Sequence, residues 1–274
     1  MKNHHKVVDD SLLFDENLDE HFKNVRNYLE RCRKNGITLN KKKAHIAKST
    51  VNFAGYQVSN KGVEADQKKI KAIQKFPQPK NLTDLRSFLG LANQLGCFCK
   101  ELSTHTNQLR GLLSSKNYYN WNSDHTVAFE KIKDILCKSP ILSHFDPKLP
   151  TYLQSDAARN AGLGFALLQK DGDKINLIQC GSRFLSETES RYATIELELL
   201  GIVWATKKCE IYLKGMDNFT IITDHNPLVG ILDKKTLDEV ENPRLQRLKE
   251  KLLGYNFKTE WISGKQNAIP DTLL

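Results

Sequence analysis

From residue 151 to 262 the chain reads as strand, strand, strand, helix, strand, helix, strand, and few folds accept that order. Thr151-Tyr-Leu-Gln-Ser-Asp156 alternates as a half-buried strand does. Two more apolar runs, 162–169 and 175–183, follow it closely enough to pair as a meander. A helix is expected over 190–210, around Ile195-Glu-Leu-Glu-Leu-Leu-Gly-Ile-Val-Trp-Ala205. Phe219-Thr-Ile-Ile-Thr223 is rich in β-branched residues and gives a fourth strand over 218–223. One or two helices over 227–254 and a strand over 256–262 complete the pattern. The order predicts an α/β fold: a mixed five-stranded sheet with helices on its faces.

Four acidic residues mark the ends of these elements. Asp156 ends the first strand and Asp224 the fourth. Glu198 lies in the long helix, and Asp271 follows the Gly264-Lys-Gln-Asn267 loop after the last strand. Carboxylates at strand ends and on a facing helix can share two divalent cations, an arrangement that clamps the attacking and leaving oxygens of a phosphodiester. An all-oxygen ligand set suits a hard cation, so Mg²⁺ is expected, with Mn²⁺ able to replace it. Most of the 32 Asp and Glu residues are solvated surface, so the local text must carry the assignment. Glu196 competes with Glu198 for the helix position.

That text is specific. Ser155-Asp-Ala-Ala with Gly162-Leu-Gly, Gly181-Ser-Arg-Phe-Leu, Glu189-Ser-Arg-Tyr, Glu198-Leu-Leu-Gly, Tyr212-Leu-Lys-Gly, Thr223-Asp-His-Asn-Pro-Leu and Asn267-Ala-Ile-Pro-Asp occur in that order. Together they resemble the ribonuclease H domain of gypsy-type long-terminal-repeat retrotransposons. The resemblance implies two-metal hydrolysis of the RNA strand of RNA–DNA hybrids, with Asp156, Glu198, Asp224 and Asp271 as catalytic metal ligands. One ion would activate water and the other would steady the leaving 3′ oxygen. Glu198 is preferred over Glu196 because Leu-Leu-Gly follows it, as in the family. Three residues follow Asp271, too few for the helix that normally begins there, so Asp271 is expected to be loosely held. His225 is read as shaping the turn after Asp224, and Trp204 and Trp261 as core residues.

The first half resembles the end of the same family's reverse transcriptase. Residues 7–14 read as a hairpin around Asp9-Asp10, where the polymerase's Tyr-x-Asp-Asp turn would be, with Val7 in place of the tyrosine. A helix follows whose Leu18, Phe22, Val25, Leu29 and Cys32 share one expected buried face, ending near Asn35-Gly36. Strands are expected at Ser49–Ala54 and Gly55–Ser59, then helices at 65–76, from Asn81, and over Ser123–Cys137. Phe53, Gly55 and Tyr56 match the hairpin that holds the primer end; Arg86 and Asn93 fall in the thumb-like Leu85–Asn93 segment. These five are the expected nucleic-acid contacts. Prolines 140, 147 and 150 mark a linker. The expected division is a partial palm over 1–80, a helical thumb or connection over 81–148, and the ribonuclease H-like domain over 149–274. The third polymerase carboxylate and the fingers would lie before residue 1, so Asp9 and Asp10 are read as a remnant of the polymerase motif, and primer extension is not expected.

Charge divides along the same line. Residues 1–150 hold 25 Lys/Arg against 15 Asp/Glu, whereas residues 151–274 hold 16 against 17. A basic half suits phosphates, and basic helices around 65–100 are expected to grip the backbone of a hybrid or a template–primer. Protease, fingers and integrase segments are the partners the resemblance implies. No apolar run approaches the roughly 20 residues that span a bilayer, and the first residues lack an apolar signal core. An intracellular protein with six reduced cysteines and no membrane contact is therefore expected. The alternative from a different class is a catalytically inactive remnant that only binds nucleic acid.

Overall fold

A computed structural model describes residues 3–99, 102–113, 119–138, 141–159 and 162–263. The chain divides into two compact units, Met1–Asp66 and Gln67–Leu274.

In the first unit, β1 (His4–Val7) and β2 (Asp10–Leu13) pair antiparallel with Val7 opposite Asp10. The turn is thus Val8-Asp9, one residue earlier than expected. Val8 takes the left-handed φ of +50° that this tight turn demands. Helix α1 (Leu18–Lys34) is capped by Asn17, which accepts from the Glu20 N–H. Its expected apolar face is not buried. Leu18 is 62% exposed and Phe22 56%, and of the five residues only Cys32 is buried. The helix turns a different stripe to the hairpin. Tyr28 donates to Ser11 Oγ and stacks obliquely on His4, while His21 and Asn24 bond Asp15. Hydrogen bonds from positions 21, 24 and 28 set the rotation, and the apolar stripe is left outside. Strands β3 (Thr50–Phe53), β4 (Tyr56–Ser59) and β5 (Gly62–Ala65) form an antiparallel meander, the third strand being unforeseen.

The second unit opens with helices α2 (Gln67–Gln74), α3 (Leu82–Gln94), α4 (Leu102–Arg110) and α5 (Ser123–Cys137). Asn81 caps α3 as expected, accepting from the Asp84 N–H. Asn122 and His125 form a reciprocal capping box on α5. The apolar stripes meet at Phe88, whose ring lies 4.5 Å from that of Phe129 and 5.4 Å from that of Phe76.

The sheet follows: β6 (Thr151–Ala158), β7 (Gly162–Asp171), β8 (Lys174–Arg183), β9 (Phe219–Thr223) and β10 (Phe257–Trp261), in spatial order β10-β9-β6-β7-β8. Strands β6, β7 and β8 are antiparallel; β9 runs parallel to β6, and β10 parallel to β9. Helix α6 (Thr194–Lys208) packs on β6 and β7, followed by α7 (Glu210–Leu213), α8 (Asn226–Val229) and α9 (Pro243–Glu250). The mixed five-stranded α/β architecture is the one expected. Leu153, Phe165, Leu167, Ile178, Leu199, Ile202, Phe219 and Ile221 make the core between sheet and helices. Each such side chain contributes about 1.5–3 kcal/mol by leaving water. The edge strand β8 is covered: α4 packs against it, and the Arg110 guanidinium lies 4.4 Å over the Phe184 ring. Trp204 packs edge-on against Phe165, as expected of a core residue.

The β6–β7 junction depends on one glycine. Gly162 has φ +102°, and a Cβ there would stand 2.3 Å from the Arg183 carbonyl oxygen. Gly162→Ala is expected to destabilise the chain by about 2 kcal/mol or more, from backbone strain and a clash with main chain that cannot rotate away. Urea unfolding checks this, and a midpoint equal to wild type would contradict it.

Among the described residues no helix is long and apolar enough to cross a membrane. Cys32, Cys99, Cys180 and Cys209 are buried and, like Cys137, unbridged.

Candidate functional site

Strand register brings the first two carboxylates level. Gln154 on β6 pairs with Ile222 on the parallel β9. Two residues further on stand Asp156, near the carboxyl end of β6, and Asp224, just past the end of β9.

Glu198 reaches them from α6, and Gly201 makes that approach possible. A Cβ at residue 201 would meet Ser155 Oγ at 2.9 Å, Ala157 Cβ at 3.6 Å and Leu163 Cδ2 at 3.7 Å. Glycine lets the helix lie directly on β6, which places Glu198, one turn earlier, over the strand end. The Ala157 backbone N–H donates to its carboxylate. Glu198 is 6% exposed, and its Oε2 is buried without a hydrogen-bond partner. Burial, then the charges of Asp224 and Asp156, push its carboxyl up to about 8. Asp156 is exposed and Asp224 half-buried, so the set opens to solvent on the side away from the helix.

Glu196 is turned to another task. It accepts from the Ala193 N–H at 3.0 Å, from Asn242 Nδ2 at 3.1 Å and from Arg244 at 2.7 Å. Burial would raise its carboxyl, but Arg244, Ala193 and Asn242 outweigh burial and hold it below the usual range. Its charge is spent on fixing the start of α6 to α9. The motif residues around it are similarly structural. Arg183 grips Glu189 with two hydrogen bonds of 2.8 and 2.9 Å and holds that carboxyl down to about 2. Arg244 lies 3.9 Å over the Tyr192 ring.

Asp224 sits in a turn whose backbone is bonded at three successive groups. The Ile262 N–H donates to Thr223 O at 3.1 Å, Trp261 Nε1 donates to Asp224 O at 2.9 Å, and the His225 N–H donates to Thr223 Oγ1 at 3.2 Å. The His225 contact comes from its main-chain N–H. Trp261 departs from expectation: it is 50% exposed rather than part of the core. It shares the face of Phe257 and the buried Thr259 but stands at the end of the edge strand β10, and sequence gives no sign of which strand is the edge.

Asp271 lies outside the described residues. Among the described residues no three ligating groups close into a ready metal cluster. The donor set nevertheless fits a hard cation: carboxylate oxygens only, one of them buried and unpartnered. The other expected positions lie elsewhere. Asp9 is in the first hairpin's turn and Asp10 opens β2, both exposed. Phe53 and Tyr56 pair across the Ala54-Gly55 turn, whose residues both take positive φ, +50° and +83°. Arg86 and Asn93, two helical turns apart on α3, are both exposed.

Comparison with known proteins gives the family and the fold. The family described as an RNase H-like domain found in reverse transcriptase matches residues 121–221, a span that includes Asp156 and Glu198. The Pol polyprotein of the opus transposon of Drosophila melanogaster is 34% identical over 277 residues, covering 97% of this chain and 27% of that protein. The Tf2-3 transposon polyprotein of Schizosaccharomyces pombe is 33% identical over 268 residues, covering 97% of this chain and 20% of that protein. The chain thus spans about a quarter of the length of these relatives. A foamy viral protease–reverse transcriptase solved with RNA/DNA hybrid shares the fold, with a TM-score of 0.80 at 20% identity over 99% of this chain and 36% of that one. The same enzyme solved with double-stranded DNA gives 0.74 at 19% identity, over 98% of this chain and 56% of that one.

Proposed function

The chain is a homologue of one stretch of retrotransposon Pol polyproteins, a likeness that fits the gypsy type and includes an RNase H-like domain, and from that premise we propose that it hydrolyses the RNA strand of RNA–DNA hybrids. The observation that carries the reading is the convergence of Asp156, Glu198 and Asp224 from β6, α6 and β9, with Glu198 buried and one oxygen unpartnered. With Asp271 they would hold two Mg²⁺ ions, or Mn²⁺. Bound there, the ions supply an activated water and stabilise the leaving oxygen.

The chain's own residues do the rest. Asp156 and Asp224, fixed by strand register, set the spacing of the ligands. Gly201 seats α6, and through it Glu198. Glu196 and Arg244 keep the start of that helix from rotating. Hybrid is distinguished from other duplexes by groove shape and 2′-hydroxyl contacts rather than by sequence. In this reading residues 1–80 are palm-like, 81–148 thumb- or connection-like and 149–274 carry the nuclease, in an intracellular setting. Asp9 and Asp10 take no part in cutting, and the other Pol segments are the partners.

The test is a gel assay with labelled hybrid in Mg²⁺ or Mn²⁺. Endonucleolytic loss of the RNA strand only is expected. A chain that folds and binds hybrid but cuts in neither metal would favour the non-catalytic reading.

Binding has its own expected outcome. Hybrid affinity should fall steeply with salt, through release of counterions. Arg86→Ala should weaken binding and reduce the slope of log affinity against log salt by about one. Fluorescence anisotropy at several salt concentrations checks it, and an unchanged slope would remove Arg86 from the contact surface.

A further inference from the structure

We infer that Trp261 is a positioning residue for Asp224: its indole N–H clamps the Asp224 carbonyl and thereby aims the carboxylate at the metal site. The inference rests on the nuclease reading above. Parallel pairing places Trp261 opposite Thr223, the last residue of β9. The Ile262 N–H then bonds Thr223 O, and backbone pairing ends there. One peptide further on, the Trp261 side chain replaces the missing ladder partner and donates to Asp224 O at 2.9 Å. Together with the His225 N–H bond to Thr223 Oγ1, this leaves the Asp224 peptide little freedom.

Packing does not account for the tryptophan. Half its surface is exposed, so much of the apolar burial that usually explains a large aromatic is absent. Its one polar atom is spent on the peptide carrying a site carboxylate. Groups that orient a metal ligand from behind set the affinity for the metal as well as the rate. Their loss costs roughly tenfold to a hundredfold in either.

Trp261→Phe keeps the ring and removes the donor, and Trp261→His restores a ring N–H. Three readouts on the full chain separate the possibilities. Without metal, the backbone amide resonances of Asp224 and His225 should shift in W261F, while the unfolding midpoint changes little. In calorimetric titration with Mn²⁺, W261F should bind roughly tenfold or more weakly. In hybrid cleavage, kcat at fixed Mg²⁺ should fall by a similar factor and recover partly at high Mg²⁺, with KM for hybrid within about twofold of wild type, and W261H should lie between the two. Unmoved Asp224 and His225 resonances would overturn the inference whatever the activity. So would a raised KM with unchanged metal affinity, which would make the indole a substrate contact, or a large loss of stability, which would make it structural. A wild-type chain that binds no metal and cuts no hybrid, yet shows the W261F resonance shifts, would overturn the nuclease reading and leave the clamp itself standing.

Discussion

Asp156→Asn is expected to leave the fold and hybrid binding intact while lowering hybrid cleavage by about three orders of magnitude or more, because groups that act as a unit fail together. Asp156 lies near the carboxyl end of the central strand β6, level with Asp224 and close to Glu198. Its charge acts on Glu198, as that of Asp224 does. Asparagine keeps the shape and removes the charge. Because Asp156 is exposed, the change should alter stability by less than about 0.5 kcal/mol, or raise it slightly as repulsion on Glu198 is relieved. Glu196→Gln behaves in the opposite way. It strips charge from the Arg244 contact, so it should lower stability before it lowers rate. Cleavage rates and unfolding curves for wild type, D156N and E196Q separate the two roles. Wild-type cleavage by D156N would refute the site.

The sheet was legible in the sequence because its strands carry their own evidence. Alternation at 151–156 and the β-branched run at 219–223 survive in any context. Asp156 and Asp224 were legible for the same reason, since each ends such a run. Shorter and more polar elements were not. β5 is four residues long and includes Glu64; α4 reads Leu-Ser-Thr-His-Thr-Asn-Gln-Leu-Arg, poor in helix formers and weak in periodicity. The choice between Glu196 and Glu198 was beyond periodicity. The first turns of α6 are buried on most sides, so both glutamates are inside and only their partners differ. Those partners, Asn242 and Arg244, lie more than 40 residues away in sequence. The α1 stripe failed for a related reason: an apolar face is a demand for cover, and whether cover arrives is decided by the rest of the fold. Gly201 and Trp261 make their contacts with residues far away in sequence, which no local pattern encodes.

Glu198→Gln should make the metal-free protein more stable at high pH while abolishing cleavage. Burial, with Asp224 and Asp156 nearby, raises the Glu198 carboxyl to about 8 from its ordinary 4.5. Between those two values the folded chain binds more protons than the unfolded one. Stability therefore falls as pH rises through this window, and the full penalty is present above about pH 8. A shift of that size corresponds to a few kcal/mol at most, on the order of 3–5, before solvent and structural relaxation reduce it. Glutamine cannot ionise and has nearly the same shape, so the penalty disappears. At pH 4 and below, where Glu198 is neutral in the folded and the unfolded chain alike, wild type and E198Q should unfold at similar urea concentrations. At pH 8.5 the variant should be the more stable, and adding Mg²⁺ should raise the wild-type midpoint but not that of E198Q. On the proposed reading the contrast is one of function held against stability: the Glu198 oxygen that has no partner in the folded chain would be the one that takes the cation. Urea titrations at the two pH values, with and without Mg²⁺, decide the matter. Parallel pH dependence of the two proteins would show that Glu198 ionises freely and is not confined with Asp156 and Asp224 as described.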